Sequence, residues 1–182
     1  MDKILGQLLG EAYALRPMVT VGIGYDVHAL VEGRKLILGG VEISHPKGLE
    51  GHSDADALMH AICDAILGAL GEADIGHFFP NTDPRWRGAA SQVFLHEAAR
   101  QVRARKGRIV NVDATILAEQ PKLFPHIEAM KANIAKALAV GIRQIGIKAT
   151  TTEHLGYVGR EEGIAAMAVA SLELEEDGQS RD

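Results

Sequence analysis

From residue 58 onward, Leu58, Ile62, Ala65, Ile66 and Ala69 recur at intervals of three and four, which predicts an amphipathic helix over about 54–70. Ser53 or Asp54 is available as its N-cap. A second helix is expected over Ser91–Lys106, stopped by Gly107, and a third over Pro125–Val140, closed near Gly141. Elsewhere β-branched and apolar runs read as strands: VTVGIGY (19–25), RIVNVDATILAE, IGIKATTT and GIAAMAVASLEL, with KLILGG and VEIS as short strands around the Gly39-Gly40 turn. Strands separated by helices of this length imply an α/β (α+β) two-layer sandwich, its helices on one face of the sheet. Residues 71–88, GEADIGHFFPNTDPRWRG, read as a loop carrying Phe78, Phe79 and Trp86. A loop so long and so apolar is expected to be functional or packed on a partner.

The 182 residues show no repeat or linker, so one domain is expected over residues 19–175, after an extension (1–18) and before a flexible tail (176–182). The extension lacks the basic start and long apolar core of a secretory signal, and no segment approaches the ~18 apolar residues of a membrane span. Hydrophobic residues at 47% and charged residues at 24% describe an ordinary globular chain, neither disordered nor fibrous. A net charge of -5 argues against general nucleic-acid binding, and the basic stretch Arg100–Arg108 reads as the solvated end of a helix. Cys63 is the only cysteine, so no intrachain disulfide can form. On an apolar helix face it reads as a buried small hydrophobe rather than a catalytic thiol.

Asp26 and His28 lie two apart in VGIGYDVHAL, and on an extended chain they point the same way. With His60 they make a mixed imidazole and carboxylate set that leaves a fourth position open, the pattern of a catalytic divalent metal. Asp56, His60 and Asp64 share a helix face, so either carboxylate can orient the imidazole, although Asp64 is as readily a solvated helix residue. His52 and Ser53, just ahead of that helix, suit a phosphate seat, while Ser53 alone suits simple capping. Lys122 at a strand-to-helix junction can approach a diphosphate. Thr150, Thr151, Thr152 and Glu153 end a strand with three hydroxyls and a carboxylate, which fits a phosphate and a hard cation. Arg160 is another anion contact or a surface ion pair. Together these groups point to phosphoryl chemistry, but without a P-loop, an H-E-x-x-H helix or the paired cysteines of a nucleobase deaminase.

The ordered motifs GYDVH, GGVEI, HSDADALMHAICDAILGAL, DIGHFFPNTD, AEQPK, KATTTE and GREEG resemble the 2-C-methyl-D-erythritol 2,4-cyclodiphosphate synthases of the non-mevalonate isoprenoid pathway, over about residues 20–175. The resemblance implies a ferredoxin-like fold with a mixed sheet, assembled as a homotrimer with active sites between subunits, in a bacterial cytoplasm. The implied activity is that of a phosphorus–oxygen lyase. The 2-phosphate of 4-diphosphocytidyl-2-C-methyl-D-erythritol 2-phosphate attacks the β-phosphorus of the CDP group, releases CMP and closes the cyclic diphosphate. By motif, Asp26, His28 and His60 hold zinc or another divalent transition metal, and Glu153 with the diphosphate holds Mg²⁺ or Mn²⁺.

The same resemblance places Asp26 and His28 against substrate, with His52 and Ser53 at its phosphate and erythritol end, and has His52 and Thr151 steady the transition state. Asp74, Ile75 and Gly76 match the ribose contacts; Phe79, Pro80, Asn81, Thr82 and Asp83 match a mobile loop over the erythritol. Ala118, Glu119, Gln120, Pro121, Lys122, Leu123 and Phe124 match the cytidine and diphosphate loop. Thr150, Thr152, Glu153, Tyr157 and Arg160 complete the substrate contacts. Asn81 stands where the family frequently has aspartate, and Tyr157 where it frequently has phenylalanine. An apolar central channel near Tyr25, Arg160 and Glu162 implies a possible isoprenoid diphosphate ligand. Some relatives carry a fused cytidylyltransferase, for which this chain is too short. Two other readings remain: a zinc phosphohydrolase, and a non-catalytic trimer that binds isoprenoid diphosphates.

Overall fold

The computed structural model describes residues 18–175; the expected extension, up to residue 17, and the tail lie outside them. Strand β1 spans Met18–Glu32, so the strand that begins at VTVGIGY continues through Asp26 and His28, which stand on extended chain as expected. It is followed by β2 (Leu36–Leu38), β3 (Val41–Ile43), β4 (Lys47–Leu49), α1 (Ala57–Ala69), α2 (Ile75–Phe78) and α3 (Gln92–Ala104). Then come β5 (Arg108–Leu117), α4 (Ile127–Leu138), β6 (Ile145–Thr150), α5 (Gly156–Gly159) and β7 (Gly163–Leu174). The main sheet has the order β4-β1-β7-β5-β6, and β2 and β3 form a separate hairpin. Only β5 and β6 pair in parallel, with α4 as their crossover; β1–β4, β1–β7 and β5–β7 are antiparallel. This is the expected mixed sheet.

Strand alternation decides which face the helices cover. Ala166, Ala168, Ala170 and Leu172 of β7 are buried on one face, with Val112, Ala114 and Ile116 of β5. On β1 the same alternation buries Gly22 and Gly24, and these admit α1. A Cβ on Gly24 would lie 2.0 Å from the Ala61 carbonyl oxygen, and one on Gly22 2.1 Å from that of Ala65. Helix backbone therefore rests directly on strand backbone. Helix α1 is buried on nearly all sides, through Leu58, Met59, Ile62, Cys63, Ile66 and Leu67, rather than on the single face its spacing suggested. Cys63 behaves as expected: it is fully buried, and burial pushes its thiol pKa up.

The cap of α1 differs from expectation. It is Asp56, not Ser53 or Asp54, whose carboxylate accepts the Met59 N–H at 3.1 Å and the Gly40 N–H at 2.7 Å. Burial pushes the Asp56 pKa up to about 6 despite those two bonds. The glycines expected to stop α3 and α4 are also not the left-handed residues. Lys106 (φ 53) and Ala139 (φ 57) take that conformation, while a Cβ on Gly107 would meet Leu174 Cδ2 at 2.4 Å, so the leucine side chain would have to move.

The other face of the sheet has two characters. Across β1 and β7 it exposes Val19, Val21, Ile23, Tyr25, Val27, Met167 and Val169. On β5 and β6 it turns polar, with an ion pair between Lys148 and Asp113.

Candidate metal and substrate site

Close seating of α1 on β1 brings His60 to the two side chains that follow Gly24 on the same strand face. Asp26 Oδ2 lies 3.0 Å from His28 Nε2 and 3.0 Å from His60 Nδ1, and the two ring nitrogens are 3.2 Å apart. Among the described residues these three form the one group of histidine and acidic side chains that could hold a metal ion.

The far side of each ring is already occupied. His28 Nδ1 sits 2.6 Å from the Glu50 carbonyl oxygen, which can only accept, so Nδ1 carries the proton and Nε2 presents a lone pair to the centre. His60 Nε2 faces the hydroxyls of Ser91 at 2.8 Å and Ser53 at 3.3 Å, leaving Nδ1 toward Asp26. Three donor atoms converge where only a proton or a cation relieves their repulsion, and the donor set suits zinc or a similar divalent ion. Burial alone would raise the Asp26 carboxyl pKa; the hydrogen bonds and charges of His28 and His60 overcome it and hold the group well below the carboxylate range. His28 is the complement: burial lowers its pKa, but Asp26 and the Glu50 carbonyl raise it above 6.5 overall.

Neither acidic neighbour on α1 orients His60, contrary to the sequence-based expectation. Asp56 is spent on the cap, and Asp64 accepts the Ile75 N–H at 2.8 Å, fixing the start of α2. Helix direction explains this: residues four apart share a face, but α1 is packed on all sides and each carboxylate meets a different neighbour.

Ahead of α1, His52 Nε2 lies 3.2 Å from the Asp83 carbonyl oxygen, and Ser53 Oγ accepts the Ala55 N–H at 3.1 Å. The expected phosphate seat is thereby tied to the 79–83 loop. Within that loop Phe79 packs on Phe94 and Trp86, with ring centroids 4.6 and 5.0 Å apart, while Pro80, Asn81 and Thr82 are exposed. Asp83 caps the following turn through the Arg85 N–H. Asp74 caps α2 through the His77 N–H, with Ile75 and Gly76 in its first turn.

A second group of expected residues gathers at the end of β6. Glu119 is buried and accepts the backbone N–H groups of Thr152 at 2.9 Å and His154 at 3.1 Å, which holds Glu153 in a left-handed conformation (φ 52). Glu153 in turn accepts from the Thr151 hydroxyl at 2.9 Å. Thr150 donates to the Thr151 carbonyl. In the 118–124 loop, Ala118 and Leu123 are buried, Pro121 is half-buried, and Gln120, Lys122 and Phe124 face out. Desolvation raises the Glu119 carboxyl pKa, but the bonds from His154 and Thr152 outweigh it and leave it low. Its hold on the turn is thus present above the ordinary carboxylate range and lost as pH falls through the lowered value. A Glu119→Gln variant is expected to speed amide hydrogen exchange at Thr152 and His154 roughly tenfold, since it removes a charged acceptor; unchanged exchange would show that the turn holds itself.

The two groups lie at the same end of the sheet but not together. His28 pairs with Ile164, and Leu117 bridges Ala165 and Thr150, so three strand spacings, or about 14 Å, separate the Asp26–His28–His60 set from the Thr150–Glu153 turn. Tyr157 meets Tyr25 hydroxyl to hydroxyl at 2.5 Å, and Arg160 pairs with Glu162 at 2.8 Å.

A family model described as the YgbB family matches residues 19–173. The chain belongs to this family. It is 61% identical over 153 residues to the 2-C-methyl-D-erythritol 2,4-cyclodiphosphate synthase of Dechloromonas aromatica, covering 84% of this chain and 96% of that one. It is 56% identical over 173 residues to a bifunctional enzyme IspD/IspF of Sphingopyxis alaskensis, covering 95% of this chain but only 44% of the relative. This chain therefore spans less than half the length of that bifunctional relative. Among solved structures, a CDP-bound form of 2C-methyl-D-erythritol-2,4-cyclodiphosphate synthase superposes with a TM-score of 0.77 at 42% identity, over 84% of this chain and 99% of that one.

Some groups that shape the site in this YgbB family member carried no signal in the sequence. Arg34 donates to the carbonyls of Leu49 at 2.9 Å, Gly51 at 3.2 Å and Ser53 at 2.8 Å, clamping the segment that presents His52. Ser91 and Asp54 were legible only as helix caps, yet Ser91 touches His60 and Asp54 holds Ser91. No helix among the described residues is long and apolar enough to cross a membrane.

Proposed function

We propose that the chain is a cyclodiphosphate synthase of the non-mevalonate isoprenoid pathway, a phosphorus–oxygen lyase that converts 4-diphosphocytidyl-2-C-methyl-D-erythritol 2-phosphate to 2-C-methyl-D-erythritol 2,4-cyclodiphosphate and CMP. The observation that carries this reading is the convergence of Asp26, His28 and His60 in a chain so close to synthases of that name. Zinc held by that set would polarise and orient a phosphate oxygen, and Mg²⁺ or Mn²⁺ at Glu153 would offset the charge of the diphosphate.

The chain's own residues have the remaining work. The nucleophile is a phosphate already carried by the substrate, so no side chain need be activated; two anionic groups must be held together and water kept away. His52 and Ser53 seat the erythritol-side phosphate, and the Asp83 contact joins that seat to the 79–83 loop above it. Lys122 and Thr150–Thr152 flank the diphosphate whose α–β linkage breaks to release CMP, with Thr151 and His52 placed to steady charge on the β-phosphoryl group as the ring closes. Asp74–Gly76 and the 118–124 loop take the ribose and cytosine, in keeping with the CDP-bound form of the structural relative.

The same distances support the homotrimer. The reacting phosphorus groups must meet at roughly 3–3.5 Å, whereas one subunit holds its two halves of the site about 14 Å apart. The uncovered apolar stripe on β1 and β7 supports packing against further copies, which would bring one subunit's Thr150–Glu153 turn to another's Asp26–His28–His60. The two-layer arrangement supports the ferredoxin-like grouping. An isoprenoid diphosphate in the central channel would have to draw Arg160 from Glu162.

Incubating the purified chain with zinc, magnesium and the cytidyl substrate is expected to yield CMP and the cyclic diphosphate, and chelation to stop both. A linear product, heavier by one water, would make it a phosphohydrolase; a metal-loaded trimer that releases no CMP would end the catalytic reading.

A further inference from the structure

For His60 to offer Nδ1 to a metal, its proton must sit on Nε2, and the residues behind the ring decide that. The Asp54 carboxylate accepts twice from Ser91: from its backbone N–H at 2.9 Å and, through a short bond, from its hydroxyl. A carboxylate only accepts, so the single hydroxyl hydrogen of Ser91 is committed to Asp54. Ser91 Oγ, 2.8 Å from His60 Nε2, is left as an acceptor, and Nε2 must donate. Ser91 is fully buried, which leaves no room for solvent to reverse the sense. Ser53 does not oppose this, because its Oγ already accepts the Ala55 N–H and can accept again.

We propose that Asp54 and Ser91 are positioning residues that fix the tautomer of His60 and thereby set the metal affinity of the site. This rests on the metal-dependent reading above. It also reaches the substrate loop. Asp54 donates its N–H to the Ala89 carbonyl at 3.0 Å, and Gly88 donates to the His52 carbonyl at 2.8 Å, so the end of the 71–90 segment and the relay are one unit. Phe94, one turn into α3 from Ser91, packs on the His60 ring at 5.7 Å and on Phe79 at 4.6 Å.

Asp54→Asn tests the direction of the bonds with little change of shape. The Ser91 N–H, 2.9 Å from one carboxylate oxygen, and the Asp56 N–H, 3.2 Å from the other, compete for the single amide oxygen; the shorter bond to Ser91 keeps it, which turns the amide NH₂ toward Ser91 Oγ. The Ser91 hydrogen is then released toward His60 Nε2, and the imidazole proton moves to Nδ1. Imidazole nitrogen shifts in ¹⁵N-labelled, metal-free protein should report a proton on His60 Nε2 in the wild type and none there in Asp54→Asn. Zinc affinity measured by calorimetry should fall roughly 10- to 100-fold, the usual loss when a group behind a ligand is removed.

Ser91→Ala should weaken zinc in the same range and Ser91→Thr, which keeps the hydroxyl, should restore it; this pair carries the test if Asp54→Asn does not fold. A folded Asp54→Asn protein with the wild-type tautomer, or with wild-type zinc affinity, would overturn the relay while leaving the metal site standing. A wild-type protein that binds no zinc would instead remove the metal reading, and the tautomer measurement, made without metal, would still decide the relay.

Discussion

Asp26→Asn should remove zinc from the protein, from about one ion per chain to none after dialysis, and lower kcat/KM for CMP release on the order of 10³-fold, the scale of losing a principal electrostatic contact in a reacting site. The asparagine keeps the shape, so the loss reports charge rather than packing. Oδ2 of Asp26 is the atom common to both imidazole contacts, at 3.0 Å from each, so no other side chain can substitute for it. The pH dependence follows from the same geometry. His28 is raised above 6.5, so its proton is lost as pH rises through that raised value, and zinc must displace any proton that remains. Zinc affinity should therefore fall as pH drops through the raised His28 value. Asp26, held low, stays ionised throughout that window and contributes nothing to the slope. Calorimetry at a series of pH values checks both statements. A variant that retains stoichiometric zinc would show that the two histidines suffice.

Gly24→Ala should be strongly destabilising. Its Cβ would sit 2.0 Å from the Ala61 carbonyl oxygen and 2.7 Å from the Ala65 nitrogen, and all of these are backbone atoms with no rotamer to yield. The strand is held by β7 and the helix by α3 and the sheet, so relief requires α1 to lift. Overpacking of this kind costs roughly 3 kcal/mol or more, a drop in Tm of about 6–12 °C for a domain of this size. Because His60 rides on the lifted helix, zinc binding should fall with stability even though no ligand is altered. Thermal denaturation together with zinc titration checks the coupling; a Gly24→Ala protein with unchanged Tm would mean that the helix can move freely.

The three candidate metal ligands were legible because each rests on a local period. Asp26 and His28 share a face through strand alternation, and His60 sits in a strongly patterned helix. The same local reasoning failed for Asp56 and Asp64: a shared helix face says nothing about which neighbours stand opposite it. Arg34, Asp54 and Ser91 act across 15 to 37 residues of sequence, and no spacing announces such contacts. The valines of β1 show a similar limit. Alternation marks Val19, Val21 and Ile23 as one face but does not say which face is covered, and the glycines opposite are the ones beneath α1.

By itself the sequence determined the long strands and helices, the sheet-and-helix layering and the three side chains able to share an ion, but not the short elements β4, α2 and α5. What it determined follows from backbone periods that span a few residues. Tertiary structure alone decided that Asp56 caps a helix, that Ser91 stands behind His60, and that the Thr150–Glu153 turn lies three strands from the Asp26–His28–His60 set. Those facts depend on where distant segments meet, which packing of backbone against backbone at Gly22 and Gly24 settles and no local pattern encodes.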